Sequence, residues 1–267
     1  MSSFDDKLTE FSVIGLGTGI IIFLSGLRIF FRYRALALTR EAPIRSIPRG
    51  LVGIHGKPTP VGSVLESSPV TRTPCLFYKV DIEKEVIRNA VHRWSHDKTS
   101  VGGLLFYLDD GTGKVLVNPF GGECDLAPHC TREVPQSTSS PPAADSIGDA
   151  ELIAYARSAP ACGVVGTDLT DNMSVVGLST GRYRFTEYCI LSEHNYYVTG
   201  TCIENPQPKD SDDRNMIVKG QKEPMFLISS QSKGVEEDDL RSNALYQILG
   251  GLGLAVVCLL ILFFKAS

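Results

Sequence analysis

The sequence predicts a mainly β domain, a small antiparallel barrel or sandwich, between two transmembrane helices; an OB-like barrel is one form this domain can take. Two long apolar runs, residues 11–31 and 244–264, lie near the ends of the 267-residue chain. Between them, short stretches of alternating apolar and polar residues are separated by turns rich in glycine and proline. That alternation is typical of half-buried strands, and many short strands with little helix favour a barrel or a sandwich.

Each apolar run has the length of a membrane span. As a helix of about 1.5 Å per residue it reaches roughly 31 Å, which matches a hydrocarbon core of about 30 Å. Arg28 is the only charge in the first run, and an acidic start argues against the alternative of a cleaved signal peptide. Along the chain, the predicted order is a tail (1–10), a transmembrane helix (11–31), a β-rich domain (32–243), a second transmembrane helix (244–264) and a tail (265–267).

The charge distribution predicts a membrane partner and excludes nucleic acid. The net charge is −4, whereas a nucleic-acid-binding domain needs a basic face. Arginines instead crowd the domain side of the first helix, where we expect them to contact anionic lipid headgroups: Arg28, Arg32, Arg34, Arg40. The positive-inside rule then predicts a multi-pass protein with a cytoplasmic β domain, in the plasma membrane of a prokaryote or an organellar membrane of a eukaryote.

Neither the cysteines nor the histidines predict a metal or a cofactor. Seven irregularly spaced cysteines favour a reducing compartment over a disulfide framework. His92 and His96 are four residues apart in a polar, loop-like segment without a glutamate between them, and we expect them to be unliganded. Cys124, His129 and Cys130 are closer together but lack Cys-x2-Cys spacing.

The turn Asp110-Gly111-Thr112-Gly113 raises the question of a phosphate-binding loop. Lys114 is followed by valine rather than Ser or Thr, and a strand-forming segment follows where a Walker loop needs a helix. Asp110, Gly111 and Gly113 therefore predict a structural hairpin turn, with the glycines supplying positive φ. A calcium site at Asp109 and Asp110 is the open alternative.

A second pattern, Gly177-x-Ser179-x-Gly181, matches the nucleophile elbow of serine hydrolases letter for letter. That motif requires a strand, a sharp turn and a helix, with a later acid and histidine. A strand-like segment follows instead, and His194 is the sole downstream histidine. A hydrolase that uses Ser179 is therefore a remote alternative.

The remaining elements follow from local patterns. Residues 135–149 are Ser/Pro-rich and predict a flexible excursion. A short helix capped by Asp149 follows at 149–159, and residues 216–219 and 225–229 predict a last pair of strands. Trp94 is expected in the core.

Glycines in both apolar runs suit close helix packing. Gly15 and Gly19 have the small-xxx-small spacing of membrane helix contacts, and Gly251 lies in the glycine-rich part of the second run. They predict helix–helix contact, with self-association of two chains as one possible result.

Ordered segments resemble the GIDE, or "beside a membrane", family. They are IRSIPRGLVGIHGKP, LESSPVTRTPCLFYKVDIEKE, HRWSHDKTSVGGLLFYLDDGTGKVLVNP and RYRFTEYCILSEHNYYVTGTCIE, between two membrane runs. The resemblance covers about residues 10–264 and implies a GIDE domain between two spans. The family includes a mitochondrial RING-type E3 ubiquitin ligase, in which the RING follows the second span.

This sequence departs from the ligase pattern, because it has no Cys-x2-Cys pair with which to build a RING. No ligase residue can be carried over. We therefore expect a non-catalytic module that binds a membrane-associated protein or a lipid; a component of an E3 ligase-type system is the alternative.

Overall fold

The computed structural model divides the chain into a helical unit, residues 1–40 and 232–267, and a β unit, residues 41–231. It describes residues 2–88, 90–135, 148–160, 178–208, 214–221, 225–231 and 233–266. Most of the Ser/Pro-rich segment predicted at 135–149 lies outside the described residues. The structure is mainly β, with 39% strand and 34% helix.

The helical unit consists of α1 (Ser2–Leu38) and α3 (Lys233–Ala266), with the short α2 (Asp149–Ser158) belonging to the β unit. Within α1 and α3, the segments Glu10–Leu38 and Glu237–Phe264 have 29 and 28 residues and mean hydropathies of 2.0 and 2.5. Only 11% of each apolar window is buried. A soluble protein does not leave that much contiguous apolar surface in water. The chain therefore has the organisation of a two-span membrane protein.

Both helices are longer than the runs that predict them. The helix α1 begins at Ser2 and takes in most of the predicted tail 1–10, and it ends at Leu38 rather than at residue 31. The helix α3 begins at Lys233, before the predicted start at 244. The flanking polar residues extend the helices because backbone hydrogen bonding continues past the apolar segment.

The structure describes thirteen strands. They are β1 (Gly50–Pro60), β2 (Glu66–Ser67), β3 (Pro74–Cys75), β4 (Phe77–Arg88), β5 (Val91–Gly103), β6 (Phe106–Asp109), β7 (Lys114–Val117), β8 (Glu123–Asp125), β9 (Cys130–Val134), β10 (Leu178–Ile190), β11 (Tyr196–Glu204), β12 (Asn215–Val218) and β13 (Leu227–Ser229).

Five of these strands close into a barrel. β1 pairs with β6 and β11, β6 pairs with β7, and β12 pairs with both β7 and β11. The closure at β7 and β12 is parallel, and the other four pairings are antiparallel. A five-stranded barrel of this kind is the architecture of OB-folds. The predicted barrel is confirmed, with one parallel pairing that its antiparallel description did not include.

The barrel has a continuous apolar interior because inward side chains alternate along each strand. Val52 and Ile54 of β1 face inward with Val198 of β11 and Ile217 of β12. All four are at most 2% exposed. Since each such side chain contributes about 1.5–3 kcal/mol on burial, the interior is the main source of stability in the barrel.

A second, four-stranded sheet is built from two insertions between barrel strands. Its order is β5-β4-β10-β9; β4 and β5 lie between β1 and β6, while β9 and β10 lie between β7 and β11. Val80, Ile82 and Phe185 form a separate core with Leu152 and Ala156 of α2. Thus α2 and this sheet cover each other's apolar faces.

Several local predictions are corrected by this sheet. The segment with His92 and His96 is strand β5 rather than a loop, paired with β4 along its length. Trp94 is half-buried rather than in the core, and the guanidinium of Arg184 lies 4.7 Å from its ring centroid. A polar strand escapes recognition because neither of its faces is fully apolar.

Two further corrections concern α2 and the last strands. The N-cap of α2 is Gly148, and Asp149 accepts a hydrogen bond from Arg132 at 2.6 Å instead of capping the helix. The strands β12 and β13 do not pair with each other. Both pair with β11, because β12 closes the barrel and β13 extends its sheet toward β8.

Candidate functional site: a cleft beside a buried carboxylate

The β unit contains a fully buried carboxylate, the side chain of Glu187, which is 0% exposed. Glu187 lies on β10, where it pairs with Val80 of β4 and Cys130 of β9. Its neighbours two residues away on the same face, Phe185 and Cys189, are also buried. A carboxylate at a core-facing position is costly unless hydrogen bonds replace its lost hydration.

Three donors from one loop supply those hydrogen bonds. The backbone N–H of Val70 donates to Oε1 of Glu187 at 2.8 Å. The hydroxyls of Ser68 and Thr71 donate to Oε2 at 3.2 and 2.6 Å. Hydrogen bonds to a charged acceptor are stronger than neutral ones, so this loop is fixed firmly over the sheet.

The loop is the connection of the small hairpin formed by β2 and β3. The N–H of Ser68 donates to the carbonyl of Thr73 at 3.0 Å, and the N–H of Arg72 donates to the carbonyl of Ser68 at 3.1 Å. Arg72 has φ 57°, a left-handed conformation uncommon outside glycine. The side chain of Ser68 also accepts the N–H of Thr73 at 3.0 Å. Short hydroxyl side chains suit such a loop because they bond to nearby backbone.

A chain of hydroxyls leads from Glu187 to a histidine. The Oγ1 atoms of Thr71 and Thr73 are 2.7 Å apart, and Oγ1 of Thr73 is 3.1 Å from Nε2 of His129. The backbone N–H of His129 donates to the carbonyl of Glu187 at 2.7 Å. We call Glu187, Thr71, Thr73 and His129 the Glu187 relay.

The imidazole of His129 lines a cleft of about 330 Å³ in the β unit. The floor and walls are mainly apolar, and polar groups from His129, His194, Asn195 and Ser230 join them. The apolar lining is Leu126, Ala127, Pro128, Cys189, Leu191 and Tyr196. A volume of this size, apolar walls and a few polar groups are the usual features of a small-ligand or side-chain pocket.

The thiols around the cleft are held in their protonated form. A hydrogen bond with Cys75, followed by burial, raises the pKa of Cys189 far above its ordinary value. Burial likewise raises the pKa of Cys130. Because the thiolate is the nucleophilic form, neither cysteine has the character of a reactive nucleophile at neutral pH.

No group of three or more His, Cys, Asp or Glu side chains is arranged to hold a metal ion within the described ranges. Nδ1 of His92 instead lies 3.2 Å from Oε1 of Glu85, and Nε2 of His96 lies 3.4 Å from Oγ1 of Thr99. The two histidines thus contact different residues of the sheet.

The glycine turn at Asp110 is a structural clamp. Oδ1 of Asp110 accepts the N–H groups of Thr112 and Gly113 at 2.8 and 3.1 Å, and Gly111 has φ 81°. Oδ2 accepts the N–H of Ile44, 66 residues away, at 2.8 Å. The turn therefore fastens the 3-10 segment Ile44–Ser46, which precedes β1, to the β6–β7 hairpin. Sequence reasoning found the turn but not its partner. The positive φ predicted for Gly113 is wrong, since of the two glycines only Gly111 has one.

The pKa of Asp110 reflects this clamp. Burial acts to raise the pKa of the carboxyl, but the hydrogen bonds from Ile44, Thr112 and Gly113 favour its charged form more strongly. The net result is a pKa below the ordinary value.

The predicted membrane-surface arginines lie at the domain end of α1. Arg28, Arg32 and Arg34 are within the helix, and Arg40 lies two residues after its end. Arg28, Arg34 and Arg40 are exposed, and Arg32 is half-buried. Their contact with lipid headgroups stays a prediction.

The three predicted packing glycines lie where α1 and α3 approach each other. A Cβ added to Gly19 would lie 2.9 Å from the carbonyl oxygen of Gly251, and one added to Gly251 would lie 2.8 Å from that of Gly19. A Cβ on Gly15 would lie 2.7 Å from Sγ of Cys258. These glycines serve a contact within one chain, and association of two chains stays a prediction.

Ser179 does not lie on a nucleophile elbow. It is part of β10 and pairs with Val86 of β4, before an irregularity that ends at Tyr183. An elbow requires a helix directly after the serine, whereas β10 continues to Ile190. The geometry that a hydrolase needs is therefore not present around Ser179.

Comparison with known proteins adds no identity to this description: no family model matches the chain, and neither do curated proteins or solved structures. The resemblance to the GIDE family stays a prediction that rests on the quoted segments.

Sequence reasoning missed the Glu187 relay although two signals were present. Glu187 occupies the apolar phase of the alternation Phe185-x-Glu187-x-Cys189, where a charge is out of place. The segment from Ser68 to Thr73 carries three hydroxyls, and prolines lie at positions 69 and 74. The two segments are more than 110 residues apart, so nothing local in the sequence joins them.

Proposed function

We propose that this chain is a membrane-anchored binding protein, in which an OB-like β unit tethered by two spans binds a segment of a membrane-associated partner protein. The observation that carries the proposal is the cleft of about 330 Å³ beside the Glu187 relay. Its apolar walls and few polar groups are typical of pockets that bind a ligand or a side chain.

The protonated thiols support a binding role over a catalytic one. Cys189 and Cys130 line or adjoin the cleft, yet the pKa of each thiol is raised. Ser179 lies on a paired strand. Among the described residues the cleft thus has a candidate base, His129, without an activated nucleophile.

Tethering at both ends supports a partner in the same membrane. A module held at a bilayer meets a membrane-bound partner at a higher effective concentration than a free module does. Anionic lipid near Arg28, Arg32, Arg34 and Arg40 would add about 1 kcal/mol per arginine. The ligase-component alternative rests on family resemblance alone, and zinc content with ubiquitin-discharge activity of the purified chain tests it.

Site-specific photo-crosslinking in native membranes tests the proposal. A photoreactive amino acid at Asn195, in the cleft, is compared with one at Val91, which is 50% exposed and outside it. We expect a discrete protein adduct from position 195 that a His129→Gln change reduces. Equal labelling from both positions, or adducts to lipid alone, would contradict a protein-binding cleft.

A further inference from the structure

Hydrogen-bond directions in the Glu187 relay are fixed by its buried end. Thr71 donates its single hydroxyl hydrogen to Oε2 of Glu187 at 2.6 Å. Thr71 must then accept from Thr73 across the 2.7 Å contact. Thr73 has no second hydrogen, so across the 3.1 Å contact His129 donates from Nε2.

This direction leaves an acceptor at the cleft. A neutral imidazole that carries its proton on Nε2 has an unprotonated Nδ1 with a free lone pair. His129 is exposed and lines the cleft. The Glu187 relay therefore makes Nδ1 of His129 a hydrogen-bond acceptor for a ligand in the cleft.

The partners of Glu187 indicate which kind of hydrogen-bond donor a ligand should bring to His129. In the described part of the chain, Glu187 has hydroxyl and amide partners and no cation within ion-pair distance. A buried carboxylate without a counter-charge favours a positive charge nearby. The other acceptors at the cleft, the side chains of Asn195 and Ser230, also suit a group with several N–H hydrogens.

We propose that the cleft binds the side chain of a lysine from the partner protein. The methylene stem would lie along the walls formed by Leu126, Pro128 and Leu191, and the ammonium would donate to Nδ1 of His129. A lysine combines an apolar stem with three N–H donors, which matches this lining. The assignment rests on the proposed function, because it names the group by which a partner protein is recognised.

Binding of small probes to the full chain in lipid nanodiscs tests the assignment. The probes are Nα-acetyl-lysine methylamide, Nα-acetyl-norleucine methylamide, which keeps the stem without the ammonium, and ethanolamine, which is the amine of a lipid headgroup. We expect the lysine probe to bind about tenfold more tightly than either of the others, the difference that one charge-assisted hydrogen bond makes. Equal binding of norleucine would remove the ammonium from the proposal, and tighter binding of ethanolamine would assign the site to lipid.

Two variants connect the preference to the relay. Thr73→Val breaks the link between His129 and Thr71 at nearly constant volume, and His129→Leu removes the side-chain acceptor at an exposed position. Both should abolish the lysine preference. Thr186→Val, the same change on the opposite face of β10, is the control and should keep it. A preference that survives Thr73→Val and His129→Leu would overturn the assignment.

The two proposals fail in different ways. A protein adduct from position 195 together with no lysine preference would leave the binding function standing and remove only the lysine. A lysine preference without any protein adduct in native membranes would remove the protein partner instead.

Discussion

Two carboxylates are buried in the same four-stranded sheet, and their partners differ in kind. Glu85 of β4 is 5% exposed and lies 3.2 Å from both Nη1 of Arg182 and Nδ1 of His92. Glu187 of β10 is 0% exposed and is bound by two hydroxyls and one amide. The first carboxylate has cationic partners beside it. The second is connected through the hydroxyls of Thr71 and Thr73 to His129, which lines a cleft.

This difference separates a structural ion pair from a site. A carboxylate that is paired with its own cation attracts a positively charged ligand only weakly, because its charge is already neutralised. A carboxylate held only by neutral donors still attracts positive charge.

The largest effect should come from Glu187→Ala. It leaves the buried Val70 amide without an acceptor and removes the acceptor that the hydroxyls of Ser68 and Thr71 share, at a cost of about 3 kcal/mol in the free energy of unfolding. Denaturant unfolding of the β unit, followed by Trp94 fluorescence in the full chain, measures it. Glu187→Gln keeps an acceptor and should cost less; a loss below about 1 kcal/mol in the alanine variant would show that the loop is held by other contacts.

Thr71→Val should have the next largest effect. The change removes the shortest hydrogen bond to Glu187, 2.6 Å, and breaks the Glu187 relay at its first link. We expect a loss of about 1.5 kcal/mol by the same unfolding measurement. The matched change Thr186→Val should stay within about 0.5 kcal/mol. Equal effects of the two variants would mean that the hydroxyl of Thr71 has no special role.

Removing a third carboxylate, by Asp110→Ala, gives a comparison for the two in the sheet. It removes the acceptor of the Ile44, Thr112 and Gly113 amides in a half-buried turn, and we expect a loss of about 1 kcal/mol. Hydrogen exchange should show the Ile44 amide losing protection, while amides of β10 keep theirs. Unchanged protection at Ile44 would contradict the clamp.

Protonation of Asp110 in acid should weaken the clamp, as Asp110→Ala does. Its folded pKa lies below the unfolded value of about 3.8, so its stabilisation is fully present above that value. It is lost as the pH falls through the lowered folded pKa. The protection of the Ile44 amide, taken relative to its intrinsic exchange rate at each pH, should therefore fall only in strong acid, and a loss of protection near neutral pH would contradict this assignment.

The smallest effect should come from titrating Glu85. A hydrogen bond from Thr180, together with those from His92 and the charge of Arg182, lowers the pKa of Glu85 despite its burial. The group therefore stabilises the sheet above its unfolded pKa of about 4.5, and this contribution is lost as the pH falls through the lowered folded value. Hydrogen exchange at the paired residues Val86 and Arg93 should report the loss. An Arg182→Ala variant should lose protection at a higher pH than the unaltered chain does.

Local patterns predicted most of the fold. Alternation from Leu76 to Ile82 identified β4, and the Asp110 turn between two apolar runs identified the β6–β7 hairpin. The apolar runs predicted α1 and α3 because a bilayer demands length and hydrophobicity together. These features depend on residues that are close in sequence.

The features that escaped prediction depend on distant residues. The Val70 amide reaches Glu187 across 117 positions, and the Ile44 amide reaches Asp110 across 66. The parallel pairing of β7 with β12 joins segments about a hundred residues apart, and no turn signal connects them. The polar strand β5 was missed for a different reason, since it presents charges on both faces near its start.

The tautomer of His129 reports the Glu187 relay directly, because the hydrogen-bond directions of the relay fix which ring nitrogen carries the proton. Side-chain ¹⁵N spectra of the histidine-labelled full chain in nanodiscs, with His129 assigned by His129→Gln, report which ring nitrogen carries the proton. The relay predicts an Nε2–H imidazole that becomes a mixture of tautomers in Thr73→Val and stays unchanged in Thr186→Val. An Nδ1–H imidazole in the unaltered chain, or a tautomer indifferent to Thr73→Val, would contradict it.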